Sequence, residues 1–163
     1  MENLFHRTSV RKYLAKPVEK EKLLQILRAA MAAPSACNQQ PWRFTVVTDQ
    51  GLIAKLAGVS RFSTFAAEAP VLLVISCWKD CQLPEFAPVD TSAALENLWV
   101  ETDALGLGGV WMGVYPRPER MAKVAEIAGL PEDEEAFAMF ALGYPAQEIR
   151  QHDRFHEEWI RWK

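Results

Sequence analysis

Arginine recurs across the segment Arg7-Thr8-Ser9-Val10-Arg11 in a spacing that an extended backbone would turn into a single face: Arg7, Ser9 and Arg11 alternate with their neighbours. Two planar guanidinium forks and a hydroxyl on one side make a phosphate clamp, with Thr8 beside them. A solvated edge of two surface arginines is the plainer alternative. A second polar stretch runs from Ala33 to Trp42, where Pro34, Ser35, Asn38, Gln39 and Gln40 crowd between prolines. Side-chain amides both donate and accept, so this stretch could read the edge of a heterocycle. Turn chemistry alone would account for Pro34, Ser35 and Asn38.

The third stretch, Leu105 to Gly113, holds Gly106, Gly108, Gly109 and Gly113. Its glycines follow a helical pattern and enter a strand, the reverse of a dinucleotide-binding turn, and Trp111 stands where that motif needs its third glycine. The dinucleotide fingerprint is therefore rejected. Glycines leading into a strand, here Gly108 and Gly109, let a flat ligand approach main-chain N–H groups.

Side chains for acid–base or nucleophilic chemistry are few. The histidines are His6, His152 and His156, all near the termini, and neither Gly-x-Ser-x-Gly nor His-Glu-x-x-His occurs. Cys37, Cys77 and Cys81 are odd in number and lack paired metal-ligand spacing, which predicts buried thiols in a reducing compartment and no metal site. Cys37 as a nucleophile with a tail histidine as base is a remote hydrolase alternative.

The elements that must position these residues follow from periodicity. Leu23, Leu24, Ile26, Leu27, Ala30 and Met31 mark an amphipathic helix over 18–33, closed by Pro34. Trp42 to Thr48 reads as a strand. Val71 to Cys77, apolar without alternation, reads as a central strand buried on both faces. Asp90 is a candidate N-cap for a long helix ending at Leu105 and Gly106. A strand over 109–114, a helix over 118–128 and a strand over 136–143 complete a mixed α/β order. The run Glu132 to Glu135 reads as a solvated turn. The tail beyond Pro145 carries Phe155, Trp159, Ile160 and Trp162 among charges, and needs a surface to lie on.

The 163 residues fit one domain spanning the whole chain. With 18 Lys+Arg against 21 Asp+Glu and a net charge of -3, there is no cationic surplus for nucleic acid or anionic lipid. The opening residues lack the apolar run of a secretory leader and no stretch reaches the ~20 apolar residues of a membrane span, so a cytoplasmic protein is expected.

Taken together these segments resemble the FMN-dependent nitroreductase family over nearly the whole chain. The resemblance is carried by Arg7, Ser9 and Arg11; by the Ala-Pro-Ser-x-x-Asn-x-Gln-Pro-Trp stretch from Ala33 to Trp42, matched at Asn38 and Gln40; by Ala104 to Gly113; by Leu142 to Pro145; and by Arg154 and Phe155. It implies an α+β fold, a mixed and mainly antiparallel sheet flanked by helices, in an intertwined homodimer whose tail, about 146–163, embraces the partner. It also implies one FMN in each of two interface pockets. Arg7, Ser9, Arg11 and Arg154 would hold its phosphate and ribityl chain, the Pro34–Gln40 loop would line the ring from the other subunit, and Gly108 and Gly109 would lie beside it. Asn38, Gln39, Gln40 and Arg11 become candidates for tuning the reduced flavin.

The activity so implied is transfer of hydride from NADH or NADPH through flavin N5 to a small electron-poor acceptor, a nitroaromatic or quinone, in ping-pong order, with no catalytic side chain of the protein's own. Related flavin chemistries (enone reduction, dehalogenation, flavin breakdown) and a non-catalytic FMN carrier or sensor are the alternatives. The chain has little room for the covering excursion common in the family. Residues 79–88 are the candidate lid, or a plain surface loop.

Overall fold

The structure, a computed structural model of the chain, describes residues 3–148 and 153–163. Its frame is a four-stranded, wholly antiparallel sheet in the order β1-β2-β4-β3, formed by β1 (Trp42–Val47), β2 (Val71–Trp78), β3 (Gly108–Gly113) and β4 (Glu134–Gly143). Beyond the outer edge of β3, Ser9 makes a parallel bridge to Gly109, which brings the arginine-bearing segment onto the sheet and gives it mixed character. Tyr13 bridges Pro145 in the antiparallel sense. The remaining elements are a short turn of helix α1 (Asn3–His6), then α2 (Lys20–Met31), α3 (Gln50–Ala57), α4 (Ala87–Ala104) and α5 (Pro118–Ala128).

Alternation along β2 divides the core into two layers. Leu72 and Val74 pack with Ile53, Leu56 and Val124 from α3 and α5, whereas Leu73 and Ile75 pack with Ile26 and Ala30 of α2 and with Ala94, Leu95 and Leu98 of α4. The sheet is thus covered on both faces, as a run without polar alternation requires. A bulge opposite Ile75 and Ser76 inserts one extra residue in β4, so Phe137 and Ala138 both join the α2/α4 layer.

Several boundaries differ from the sequence reading. Those of α2 at Lys20–Met31 and β3 at Gly108–Gly113 shift by one or two residues, whereas those of α4 and β4 change what neighbouring side chains do. Helix α4 begins at Ala87 and not after Asp90, because Pro88 is tolerated in a first turn whose N–H groups have no intrahelical acceptor. Asp90 therefore lies inside the helix, and it is buried. Strand β4 begins at Glu134, so half of the expected acidic turn is strand: Glu134 pairs with Trp78, and its carboxylate accepts a hydrogen bond of 2.5 Å from the Ser76 hydroxyl. Past α4 the chain reverses at Gly106, whose φ of +72° favours glycine, and enters β3.

Candidate cofactor site

The segment carrying Arg7, Thr8, Ser9 and Arg11 is anchored by Val10. Its side chain is buried and its N–H donates to the Gly109 carbonyl at 3.0 Å. Residues on either side are thereby left half-buried or exposed. The Arg7 Nε lies 3.3 Å from Oε1 of Glu96, and the guanidinium sits 4.0 Å from the centre of the Trp99 ring. One turn further along α4, Asp103 places Oδ2 2.8 Å from His6 Nδ1. Arg11 points elsewhere, 5.7 Å from the Phe65 ring, while its backbone N–H donates to Gln147.

Arg7 and Thr8 line a pocket of about 550 Å³ together with Leu4, Phe5, Asp153, Arg154 and Phe155. Two arginines from opposite ends of the chain thus line one concavity, of a size usual for small-molecule sites. Asp153 adds one carboxylate to the lining. The buried indole N–H of Trp99 has no acceptor among the described residues.

The Pro34–Gln40 loop adopts an unusual backbone. Cys37, Asn38 and Gln40 all have positive φ, at 49°, 53° and 48°, a region that non-glycine residues enter at a cost in free energy. Its bonds compensate. The Ser35 hydroxyl accepts from the Gln40 N–H at 3.1 Å, and the Gln40 amide donates to Asn38 Oδ1 at 3.1 Å. Asp90 accepts from the Ala36 N–H at 3.0 Å and from Gln39 Nε2 at 2.7 Å. Gln39 also exchanges two hydrogen bonds with the backbone of Leu83. Its amide is therefore spent on the scaffold, which corrects its candidacy as a ligand donor; Asn38 and Gln40 remain exposed. The same bonds tie down the candidate lid at Leu83, and Lys79 binds Asp133 and Glu132 through backbone and ammonium, so residues 79–88 are fixed at both ends of the loop that precedes α4.

Gly108 and Gly109 are both buried, and protein atoms crowd the position of a β-carbon at each. At Gly108 it would come within 2.6 Å of Val10 Cγ2; at Gly109 it would overlap the Phe140 ring. Packing thus accounts for their small size, whatever lies beside them. The structure brings together Arg7, Thr8 and Arg154, and joins Ser9 to Gly109. It does not bring the Pro34–Gln40 loop to that pocket. The loop is held at Asp90, whereas Arg7 is held at Glu96 and Trp99, roughly 9 to 14 Å further along α4 at 1.5 Å per residue. Asp90, Glu96 and Trp99 escaped the sequence reading, whose only signal was an acidic residue near a helix start.

Cys77 and Cys81 are buried, as expected, but Cys37 is exposed. Burial pushes the Cys77 thiol up to about 11, against the opposing hydrogen bond from Thr91, and pushes the Tyr13 phenol well above its ordinary range. The Tyr144 hydroxyl donates to Glu19 and holds that carboxyl below its ordinary value. Among the described residues no cluster of His, Cys, Asp and Glu could hold a metal. His156 lies 2.9 Å from Glu158 and stacks on Trp159; His152, the other tail histidine, falls outside the described residues. No helix among the described residues is long and apolar enough to cross a membrane.

The fold and the ordered segments define a nitroreductase. The nitroreductase family model matches residues 4–63 and 61–144, and the chain belongs to that family. A relative from Archaeoglobus fulgidus, provisionally named NADH dehydrogenase/NAD(P)H nitroreductase, is 36% identical over 96% of this chain and 93% of its own. An FMN-dependent nitroreductase from Clostridium difficile superposes with a TM-score of 0.90 at 27% identity, covering 98% of this chain and 96% of that one. A provisionally named nitroreductase from Desulfovibrio desulfuricans, solved in complex with FMN, superposes at 0.84 with 28% identity, covering 99% and 95%.

Proposed function

We propose that this chain is an FMN-dependent oxidoreductase that takes hydride from NADH or NADPH and passes electrons to a small electron-poor acceptor, such as a nitroaromatic or a quinone, in ping-pong order. One observation carries the reading: Arg7 and Arg154, from opposite ends of the chain, line one pocket with Thr8. A paired guanidinium set with a neighbouring hydroxyl suits a phosphate dianion; the two arginines outnumber the one carboxylate of Asp153, and the remaining lining residues, Leu4, Phe5 and Phe155, are apolar. The residues therefore fit the cofactor that the relatives carry in their names.

In this reading Arg7, Thr8, Ser9 and Arg154 hold the phosphate and ribityl end, whereas Arg11, expected from the sequence to join them, is turned toward Phe65 and lies outside that pocket. Gly108 and Gly109 keep the start of β3 flat against Val10 and Phe140, so that the strand presents backbone alone. Pro34 and Ser35 shape the loop on which Asn38 and Gln40 offer amide donors to the pyrimidine edge. When bound, FMN supplies the hydride-accepting and hydride-donating chemistry, which amino-acid side chains do not carry out themselves. Because the loop and the arginine pocket are separated along α4, two copies of the chain would complete each site. The exposed Trp159 and Trp162, at 75% and 87%, would supply the aromatic surface joining them.

Purified protein should be yellow, and either nicotinamide should bleach it with a nitroaromatic or quinone restoring the colour. Colourless protein that takes up no added FMN would end this reading.

A further inference from the structure

We infer that Asp90 is a positioning residue for the flavin site: through Ala36 and Gln39 its buried carboxylate holds the strained loop in the conformation that presents Asn38 and Gln40. The inference rests on the proposed FMN reading and concerns a residue at a distance from the arginine pocket.

The bonding around Asp90 requires a group that accepts at both oxygens. Oδ1 receives the Ala36 N–H and Oδ2 receives the Gln39 amide. The orientation of that amide is set independently, because Oε1 accepts from the Leu83 N–H at 2.8 Å while Nε2 donates to the Leu83 carbonyl at 3.0 Å. An asparagine at position 90 would set an NH₂ group against either the Gln39 NH₂ or the Ala36 N–H. Rotating Gln39 to relieve the first clash would oppose both Leu83 groups. No arrangement satisfies every donor, so the carboxylate is specified and not merely tolerated. Its position in the first turn of α4 places the charge at the positive end of the helix, which together with two N–H donors offsets its burial.

What the brace holds is a loop that would otherwise relax. Three of the four residues from Cys37 to Gln40 sit in the left-handed region, and such a conformation persists only when its surroundings over-determine it. Cys37 lies within this stretch and is exposed, whereas the other two thiols are buried, so its reaction rate with a disulfide reagent reports the loop without any cofactor.

The test compares Asp90→Asn, Gln39→Glu and the control Asp49→Asn, which weakens the cap at the Leu52 N–H on α3. For each full-length protein three quantities are measured: thiol labelling at Cys37 before FMN is added, FMN affinity by fluorescence quenching, and the two-electron potential of the flavin once bound. Asp90→Asn should accelerate labelling at least tenfold and weaken FMN about tenfold. It should also lower the preference for reduced flavin tenfold, about 30 mV for two electrons. Gln39→Glu should repeat these changes and covers the case in which Asp90→Asn does not fold. Asp49→Asn should lose stability alone. Rates and potentials within twofold of wild type in both loop variants would overturn the inference. Faster labelling in a chain whose wild type binds no FMN would show a brace without the role assigned to it, and that failure belongs to the FMN reading.

Discussion

The Nε of Arg7 lies 3.3 Å from Oε1 of Glu96, so the cation proposed to hold a phosphate already has a carboxylate partner. The Glu96 side chain is about half exposed, and pairs of that kind contribute only ~0.2 to 1 kcal/mol. A phosphate dianion competes with it for one guanidinium. Glu96→Gln should therefore tighten FMN, by up to about fivefold at low salt, with the gain shrinking as salt is added. A fluorescence-quench titration at two ionic strengths checks the sign, and weaker binding in this variant would count against Arg7 as a phosphate ligand.

Gly109→Ala should destabilise the chain whether or not FMN is present, because the new methyl group overlaps the Phe140 ring. Overpacking of this kind costs roughly 1 to 3 kcal/mol, read as a lower urea midpoint in cofactor-free protein. Shortening the obstacle in the double variant Gly109→Ala/Phe140→Leu should restore part of the loss. A Gly109→Ala variant as stable as wild type without cofactor, yet defective in binding it, would instead return this glycine to a ligand-approach role.

These two sites also mark what the chain discloses in one dimension. Val71 to Cys77 was legible as a buried strand because a run covered on both faces must be apolar throughout, and helix α5 because Pro118 and Gly129 bracket its periodic positions. The alternation of Arg7, Ser9 and Arg11 did not carry over to one wall: Arg7 lines the pocket beside Thr8, while Arg11 turns toward Phe65. What stayed hidden depends on contacts between distant residues. Asp90 meets Ala36 across 54 positions and Gln39 across 51, and a lone acidic residue near a helix start looks the same whether it caps that helix or braces another loop. The bulge at Phe137 shifts side chains between layers by one inserted residue, and composition carries no trace of it.

Stability should fall in alkali, with a slope assignable to Cys77. The unfolded thiol loses its proton near its ordinary value of 9.0, whereas the buried one keeps it to about 11. Between those values the native state binds more protons than the unfolded chain, so stability decreases as pH rises; below 9 the contribution is fully present. The gap amounts to roughly 2 to 3 kcal/mol by pH 11. Tyr13, also raised by burial, acts in the same direction. Urea midpoints at pH 7, 9, 10 and 11 should accordingly drop less steeply in Cys77→Ala than in wild type. Parallel curves for the two proteins would contradict the assignment.

The tail offers the most direct check on assembly. Trp159 and Trp162 stand exposed in the single chain, and each could bury about 150 to 250 Å² against a partner. Even partial burial at ~25 cal/mol/Å² exceeds the ~3 kcal/mol that separates dimers differing a hundredfold in dissociation constant. The double variant Trp159→Ala/Trp162→Ala should therefore dissociate at least a hundredfold more readily in light scattering across a dilution series. Its far-UV spectrum should stay unchanged, because neither ring belongs to the core. Arg154 sits on the same tail and lines the arginine pocket, so FMN affinity should fall along with the dimer. A double variant that keeps wild-type stoichiometry at every concentration would remove the tail from the interface, and a monomeric wild type would remove the interface itself.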